Sequence, residues 1–471
     1  MKRARRNAWV LIGLVLIMVM PSCRTLSLKK QPQAKEQARK SVSLQKVEIP
    51  DTWIIDREDD DSADEFAWVM ELKTPKLDSL MDQLIAHNAD LQASYSRMEM
   101  MEAGLKVSKS ELFPKVGFAA AEGTGLFKGK SAVDQFLFQA SWEPDLWGKL
   151  RYEAKSAESA YFSAQHSNER LLQVLLARLV RNWHTAQGVK NQQEVVEQML
   201  DTALDLKRLT EHRLEIGIAD PTDLNLLNAE ISNYYKQIEQ IEFTYGQVQR
   251  SIEVLVGEFP DADIMTDAWN LKLNHNIPEN LSANLLDSRP DIMAAQFDVE
   301  RAFYDEVVAQ KLRLPSLKVS APLGVANSDV LGLKSSFSDP LYAINGAVNL
   351  PVFSGGALKA NIEAKNAVQK ESVANYSKVV LNALAEVENS LSANYSLKKR
   401  RLHTLQAIED LKEIVKISSV KYEVGQTDML SLHQYRMKLL NEELNLININ
   451  TEDAVQRINL FLSLGGNFDD L

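Results

Sequence analysis

Cysteine and long apolar runs are scarce in this sequence, and both shortages bear on how the chain could meet a membrane. Cys23 is its single cysteine. Residues 8–20 form an apolar run of 13 residues, whereas a helix needs about 20 to cross a bilayer core. This shortfall argues against a transmembrane anchor at the N-terminus.

Basic charge and catalytic motifs are scarce as well. The formal net charge is −11, and loss of the four basic residues within residues 1–22 would leave −15. This balance argues against nucleic acid as a partner, because its binders usually carry a basic face. The histidines lack zinc-binding spacing, and neither a phosphate-binding loop nor a Gly-x-Ser-x-Gly elbow occurs. We therefore expect no enzymatic activity, no cofactor and no metal site.

The N-terminus has the layout of a secretory signal, with basic residues, the apolar run and then Ser22 before Cys23. It resembles a bacterial lipobox, in which the cysteine becomes a lipid-acylated N-terminus, and Arg24 resembles the sorting signal for the outer membrane. The two residues before Ser22 depart from the usual lipobox. We expect a lipoprotein signal peptide at 1–22, acylation of Cys23 and a lipid-anchored lead-in at 23–75. One acyl-bearing terminus gives only modest membrane affinity.

Glycine and proline are missing from three long spans, at 149–187, 357–424 and 426–464. The second span has 68 residues, and a helix of that length would extend roughly 100 Å. Apolar residues recur within the spans at intervals of three and four, as in Leu171, Leu175, Leu179 and in Leu381, Leu384, Val387, Leu391. This spacing predicts helices that bury one narrow stripe against each other.

The chain contains an internal duplication, which appears when the sequence is shifted along itself. At a shift of 201, Asn88-Ala89-Asp90-Leu91 aligns with Arg289-Pro290-Asp291-Ile292. At a shift of 208, Gln139-Ala140-Ser141-Trp142 aligns with Ala347-Val348-Asn349-Leu350. We assign the first structural repeat to 76–286 and the second to 287–471, each with a helix, a strand pair and long helices.

The strand pairs, at 114–143 and 315–352, alternate between apolar and polar residues. The apolar positions are Val116, Phe118, Ala120, Phe136, Phe138, Ala140 and Trp142, then Leu317, Val319, Ala321, Leu323, Val325, Tyr342, Ile344, Gly346, Val348 and Leu350. Alternation alone fits transmembrane strands and a half-buried soluble sheet equally well. In lipid, four strands cannot close a barrel, because bacterial barrels start at about eight strands. A membrane location therefore requires several copies that share one barrel.

Proline and glycine mark the places where strands turn into helices. These strand–helix junctions are Pro144, Trp147 and Gly148 in the first repeat and Pro351, Gly355 and Gly356 in the second. Proline fixes one backbone angle and glycine permits left-handed ones, as such bends require. The rings of Trp142, Trp147 and Phe353 suit a membrane–water boundary or plain core packing.

Several segments together resemble the outer membrane efflux (TolC-like) family, closest to the lipoprotein branch that serves resistance-nodulation-division pumps. They are residues 141–149 (Ser-Trp-Glu-Pro-Asp-Leu-Trp-Gly-Lys), 289–292, 349–356, 385–388 and 463–466. The resemblance spans roughly residue 50 to the end. It implies a mainly α fold with transmembrane β, in which duplicated long-helix hairpins form a periplasmic α-barrel. Four strands per protomer would contribute to a trimeric, twelve-stranded outer-membrane β-barrel.

The resemblance also implies a function and partners. The chain would be a passive outer-membrane channel of a tripartite efflux system, exporting small molecules received from a periplasmic adaptor (membrane fusion) protein and an inner-membrane transporter of the resistance-nodulation-division type. It would be a homotrimer, anchored to outer-membrane lipid and extending into the periplasm. Two rivals remain, a periplasmic coiled-coil adaptor and a scaffold lipoprotein. Neither accounts for both the duplication and the alternating strands.

The resemblance further assigns residues to the periplasmic end of such a channel. Ile216-Gly217-Ile218 and Val424-Gly425-Gln426 match the hairpin tips that dock the adaptor. Relatives pinch the tunnel with aspartate rings after the second tip, but Ser431 and Gln434 stand here where acidic residues are common. Either Asp428 forms the periplasmic gate, or the constriction is neutral and built from Met429, Leu430 and Leu432.

Overall fold

The computed structural model describes residues 52–54, 72, 74–124, 131–218, 220–264, 266, 280–282, 289–327 and 335–466. Cys23 and the predicted signal peptide lie outside these residues. The helices are α1 (Pro75–His87), α2 (Ala89–Ser110), α3 (Lys149–Glu215), α4 (Pro221–Val256), α5 (Pro290–Lys311), α6 (Ala357–Glu423) and α7 (Met429–Ser463). The strands are β1 (Thr52–Ile54), β2 (Lys115–Thr124), β3 (Ser131–Trp142), β4 (Asn280–Ser282), β5 (Ser316–Asn327), β6 (Leu341–Tyr342) and β7 (Asn345–Asn349).

Two helices dominate the molecule. α3 and α6 each have 67 residues and therefore extend roughly 100 Å. α3 continues through Gly188, where the first span without glycine or proline ends. A Cβ atom at Gly188 would overlap the side chain of Thr451 on α7. This glycine thus allows two helices to touch and does not break the one that contains it.

The core is a stripe along the helices, and α3 lies at its centre because α2, α4, α5 and α7 all contact it. Leu175 and Leu179 are buried as predicted. The prediction was wrong for Leu381, which is 38% exposed. The buried stripe of α6 instead follows Tyr376, Val380, Ala383, Val387 and Leu391. A helix repeats every 3.6 residues, so a one-residue error in phase moves a side chain about 100° away from the core.

Strands lie in both of the predicted strand-pair segments, and they form one antiparallel sheet in the order β2-β3-β5-β6, with β7 also paired to β5. The apolar residues stand in register across it: Phe118 pairs with Phe138, Phe138 with Leu323 and Leu323 with Tyr342. Residues paired in this way project to the same face. This face is therefore apolar along these rows, and the rows through Val116, Ala140 and Ala321 and through Ala120, Phe136 and Val325 continue it.

The last strand is interrupted, so the sheet has five segments where four strands were predicted. β6 and β7 keep a single register against β5, but Ala343 and Ile344 between them fall outside both strands. Pro322 lies opposite Ala343, accepts a hydrogen bond from its N–H (3.3 Å) and has no N–H to return. The missing donor accounts for the gap in the ladder.

The two repeats are tied at equivalent points. Asn88 donates from its side chain to the Leu255 carbonyl near the end of α4 (2.9 Å), and Arg289 donates to the Ser463 carbonyl at the end of α7 (2.7 Å). Asn88 and Arg289 are related by the shift of 201, and Leu255 and Ser463 by the shift of 208. The aligned segments thus mark the same contact in both repeats.

Arg289 is also the centre of a buried ion cluster. Its guanidinium is 1% exposed and donates to Asp291 (3.0 and 2.6 Å) and to Glu386 on α6 (2.8 Å). Arg170 on α3 lies 3.5 Å from Asp291. Burial raises the pKa of Asp291, but the hydrogen bond from Arg289 and the nearby cations outweigh it and hold that pKa below its ordinary value. The cluster links α3, α5, α6 and the end of α7.

A buried histidine lies beside the core. His184 contacts the Leu72 carbonyl through Nε2 (3.0 Å) and Gln187 through Nδ1 (3.0 Å). Burial, which outweighs these hydrogen bonds, lowers its pKa from 6.5 to about 4. The folded state therefore holds a neutral imidazole.

We predict that the protein loses stability as pH falls from 6.5 toward 4, because the unfolded state then binds a proton that the folded state excludes. The full contribution is present above pH 6.5 and amounts to about 3 kcal/mol for a shift of this size. Thermal midpoints measured at pH 7 and pH 4.5 by circular dichroism should show a smaller loss for His184→Gln than for the unmodified protein. His212→Gln, at an exposed position, is the matched control. Equal losses in the unmodified protein and His184→Gln would contradict the assignment.

Candidate functional site

The apolar face of the sheet is exposed in the single chain. Its large exposed side chains are Val116, Phe118, Phe136, Phe138, Trp142, Leu323, Tyr342, Ile344, Val348 and Leu350. Phe118 is 59% exposed and Tyr342 79%. A contiguous apolar surface of this kind marks a site of association with protein or membrane. No helix in the described part of the chain is both long and apolar enough to span a bilayer.

Both edges of the sheet are open. Among the described strands, β2 pairs with β3 alone, and β6 and β7 pair with β5 alone. Each outer strand therefore presents a row of backbone N–H and C=O groups that can pair with another strand.

The first strand–helix junction turns on Gly148, which precedes α3 with a left-handed backbone (φ 80°). Glycine cannot cap the helix with a side chain, and Asp145 does so instead. Its carboxylate accepts hydrogen bonds from the Leu150 and Arg151 N–H groups (both 3.1 Å). Sequence reasoning missed this role, although a carboxylate just before a helix is a favourable pattern.

Two tryptophans donate hydrogen bonds to the backbone at this junction. Trp147 donates from its indole to the Pro315 carbonyl at the start of the second strand pair (2.6 Å). Trp142 donates to the Leu112 carbonyl before β2 (3.1 Å). Both rings remain partly exposed, so each places a polar tip on backbone and an apolar body at the surface.

The second junction is built differently. Gly355 and Gly356 both have left-handed backbones (φ 60° and 89°), as the bend was predicted to require. Val352 and Phe353, which follow Pro351, are each 90% exposed. The positions equivalent to Trp142 and Trp147 are Leu350 and Gly355, which have no side-chain donor to copy the indole contacts of the first junction.

The two predicted hairpin tips have the same backbone structure. Gly217 and Gly425 are left-handed (φ 77° and 73°), and the residue after each donates back five positions, Ile218 to Arg213 (2.8 Å) and Gln426 to Lys421 (2.7 Å). This is the Schellman helix end. A Cβ atom on either glycine would meet nothing within 4 Å, so both tips face open space.

An aspartate caps the helix that follows each tip. Asp220 accepts from the Thr222 N–H (2.7 Å), and Asp428 accepts from the Ser431 N–H (2.7 Å). The hydrogen bond from Ser431 lowers the pKa of Asp428, so the carboxylate is ionised near neutral pH. Asp428, Ser431 and Gln434 follow one another at intervals of three residues, and Asp428 and Gln434 are exposed whereas Ser431 is partly exposed. Leu432 is buried, which removes it from the apolar alternative for the gate.

A buried polar contact joins the hairpins just beyond the tips. His433 on α7 is buried, and its Nε2 atom lies 3.4 Å from the carboxylate of Glu230 on α4. Tyr234 donates to the same carboxylate (2.8 Å), and burial raises the pKa of its hydroxyl. Sequence reasoning missed the contact because Glu230 and His433 are 203 residues apart. The described residues contain no group of three or more histidine, cysteine or acidic side chains placed to hold a metal ion.

We predict that Asp428→Ala lowers the thermal midpoint, because the helix loses a cap worth about 1 kcal/mol. Asp428→Asn should leave the midpoint nearly unchanged, since asparagine caps equally well. Differential scanning calorimetry of both variants measures this. Equal midpoints for the alanine and asparagine variants would show that the hydrogen bond to Ser431 does not stabilise α7.

Comparison with known proteins places this arrangement in a family. The chain is 24% identical over 428 residues to the probable efflux pump outer membrane protein TtgC of Pseudomonas putida, covering 86% of each chain. It is 23% identical to the pyoverdine export outer membrane protein OpmQ of Pseudomonas aeruginosa, covering 86% of this chain and 88% of OpmQ. Its fold matches that of the outer-membrane channel OprN with a TM-score of 0.78 and 21% identity, covering 89% of this chain and 98% of OprN. The model of the outer membrane efflux protein family matches residues 80–255 and 281–466. The chain belongs to the outer membrane efflux protein family.

Proposed function

We propose that the protein is the passive outer-membrane channel of a tripartite efflux system and exports small molecules delivered by a periplasmic adaptor and an inner-membrane pump. One observation carries the proposal: a sheet with an exposed apolar face and two open edges, continuous with helices about 100 Å long. In lipid such a sheet must be closed by other strands.

Three copies satisfy that requirement. The sheet supplies four strands when β6 and β7 are counted as the single interrupted strand that their shared register makes them. Three copies would then form a twelve-stranded barrel, within the range of bacterial barrels. The apolar face would meet lipid, and the face with Gln139, Ser141 and Asn345 would line the lumen. Cys23, when acylated, would add a lipid anchor to the barrel.

The hairpin tips are the proposed docking surface for the adaptor. Ile216, Ile218 and Val424 are each at least 60% exposed, and each flanks a glycine that faces open space. Exposed aliphatic side chains on a rigid turn offer a partner apolar area with little loss of backbone entropy. The pump would be of the resistance-nodulation-division type, as in the branch that the sequence resembles.

Asp428 is the proposed selectivity element at the periplasmic gate. Its carboxylate is exposed, ionised and fixed in place by the Ser431 N–H, whereas the nearby Ser431 and Gln434 are uncharged. Three copies would bring three negative charges together and favour the entry of cations.

The channel proposal is tested with full-length protein extracted from membranes in mild detergent. We expect a trimer on gels of unheated samples, a monomer after boiling, and discrete conductance steps in planar bilayers. Boiled protein is the matched control. A water-soluble monomer without pore activity would contradict the proposal.

The gate proposal is tested by ion selectivity. Asp428→Asn keeps the helix cap and removes the charge, so the reversal potential in a KCl gradient should shift away from cation preference. Asp220→Asn removes the equivalent charge at the other tip and should shift it less. An unchanged reversal potential for Asp428→Asn would exclude Asp428 from the gate.

A further inference from the structure

Two helices of the chain, α3 and α5, pack against each other along a seam. The helices equivalent to them by the internal duplication are α6 and α2, which do not pack against each other within one chain. Four helices stand side by side in the order α2, α3, α5, α6, since α2 packs on α3, α3 on α5 and α5 on α6. The α3–α5 seam joins the first repeat to the second. The helices at the two ends of the row, α2 and α6, are the equivalents of α5 and α3.

The α3–α5 seam is held by two serine–aspartate hydrogen bonds. Ser163 donates to Asp298 (3.0 Å) and Ser156 donates to Asp305 (2.5 Å). The two bonds are seven residues apart on each antiparallel helix, which is two turns. Side chains seven apart lie on nearly the same face, so these bonds mark the line of contact.

The two repeat shifts map the residues of this seam onto α6 and α2. The shift of 208 takes Ser163 to Glu371 and Ser156 to Ala364, and the shift of 201 takes Asp298 back to Arg97 and Asp305 back to Gly104. The sheet supports both shifts independently. The pair Val116–Ala140 in the first hairpin becomes Leu317–Val348 in the second, and both pairs are present in the sheet.

The residues at the transferred positions suit a contact between two copies. Arg97 and Glu371 are exposed, and neither makes an ion pair with any residue that the structure describes. They bear opposite charges where the internal seam has a hydroxyl and a carboxylate. A Cβ atom at Gly104 would meet nothing within 4 Å.

Small residues line the rest of the transferred seam. Tyr152 and Tyr304, whose rings lie 6.0 Å apart in the internal seam, correspond to Ala360 and Ala103. Ala364 and Ala367 continue the exposed stripe of α6. Helix separation depends on the side chains at the contact, so these residues permit a closer approach than the tyrosines do.

We propose that α6 of one copy packs against α2 of the next copy by repeating the internal seam, with Glu371 paired to Arg97 of the next copy and Ala364 against its Gly104. The occupant of both free faces is thus a second copy of this chain. The proposal rests on the trimeric channel proposed above and specifies its subunit contact. Each copy offers one face of each kind, so the contact is head-to-tail, and three copies joined by it would form the ring of the proposed trimer.

The same shifts give the strand register between copies. The internal pairs Ala140–Ala321 and Trp142–Val319 become Val348 with Ala120 and Leu350 with Phe118 of the next copy. All four of these residues belong to the apolar face. The apolar side chains of neighbouring copies would therefore lie on the same face of the shared sheet. A one-residue slip in register would place them on opposite faces.

Charge exchange tests the proposed helix contact. Arg97→Glu and Glu371→Arg, made singly in the full chain, each place like charges at the seam and should lower the trimer-to-monomer ratio about tenfold, since like charges across an interface are unfavourable. The double exchange should restore the ratio. Lys106→Glu is the matched control, because Lys106 is exposed on α2 about 180° from Arg97 and pairs with Glu102 of its own helix, so its exchange should leave the trimer-to-monomer ratio unchanged.

Disulfide trapping covers the case in which a charge variant fails to fold. Gly104→Cys combined with Ala364→Cys should give covalently linked trimers on mild oxidation, whereas Lys106→Cys with Ala364→Cys should not. A trimeric unmodified protein whose double exchange does not recover and whose 104–364 pair does not cross-link would overturn this seam and leave the channel intact. An unmodified protein that is monomeric would overturn both.

Discussion

Every backbone N–H and C=O group needs a hydrogen-bond partner, and this chain meets that requirement in two different ways. The helices meet it internally, which lets α3 and α6 run for 67 residues without support from a sheet. The β2–β7 sheet cannot meet it alone, because both of its edges are open and one face is apolar. The backbone of the helices is thus satisfied within one copy, whereas the described sheet leaves both of its outer strands with unpaired groups.

Because of the internal duplication, one chain supplies two equivalent sets of helices and strands. Each repeat ends by returning its last helix to its own start, through Asn88 in the first and Arg289 in the second. The replacement of asparagine by arginine matters because the guanidinium also reaches Asp291 and Glu386. A buried cation without those partners would be strongly unfavourable. The second repeat therefore carries the charged cluster that fixes α3, α5, α6 and α7 relative to one another, and the hairpins extend from that fixed point.

Sequence patterns predicted those features that residues close together in the sequence determine. Alternation placed Phe118, Phe138 and Leu323 on one face, and the junction and tip glycines have the left-handed backbones that the turns need. Contacts between distant residues were beyond such rules, as with Trp147 and Pro315, which are 168 positions apart, or Glu230 and His433. The burial of Leu381 was predicted wrongly for the same reason, because it depends on a helix phase that only the packed partner defines. The presence of Gly188 within α3 is likewise explained by a distant residue, Thr451.

The two junctions differ in a way that follows from where each seam is made. The Trp147 indole closes the internal seam by donating to the Pro315 carbonyl. The repeat shifts take this pair to Gly355 and Pro114 of the next copy, and glycine has no side chain with which to donate. In a ring built on the proposed contact, three seams with this hydrogen bond at the strand–helix boundary would alternate with three seams that lack it. The seams that lack it are those that must form between separately folded copies, where the exposed Val352 and Phe353 supply apolar area without demanding a single hydrogen-bond geometry.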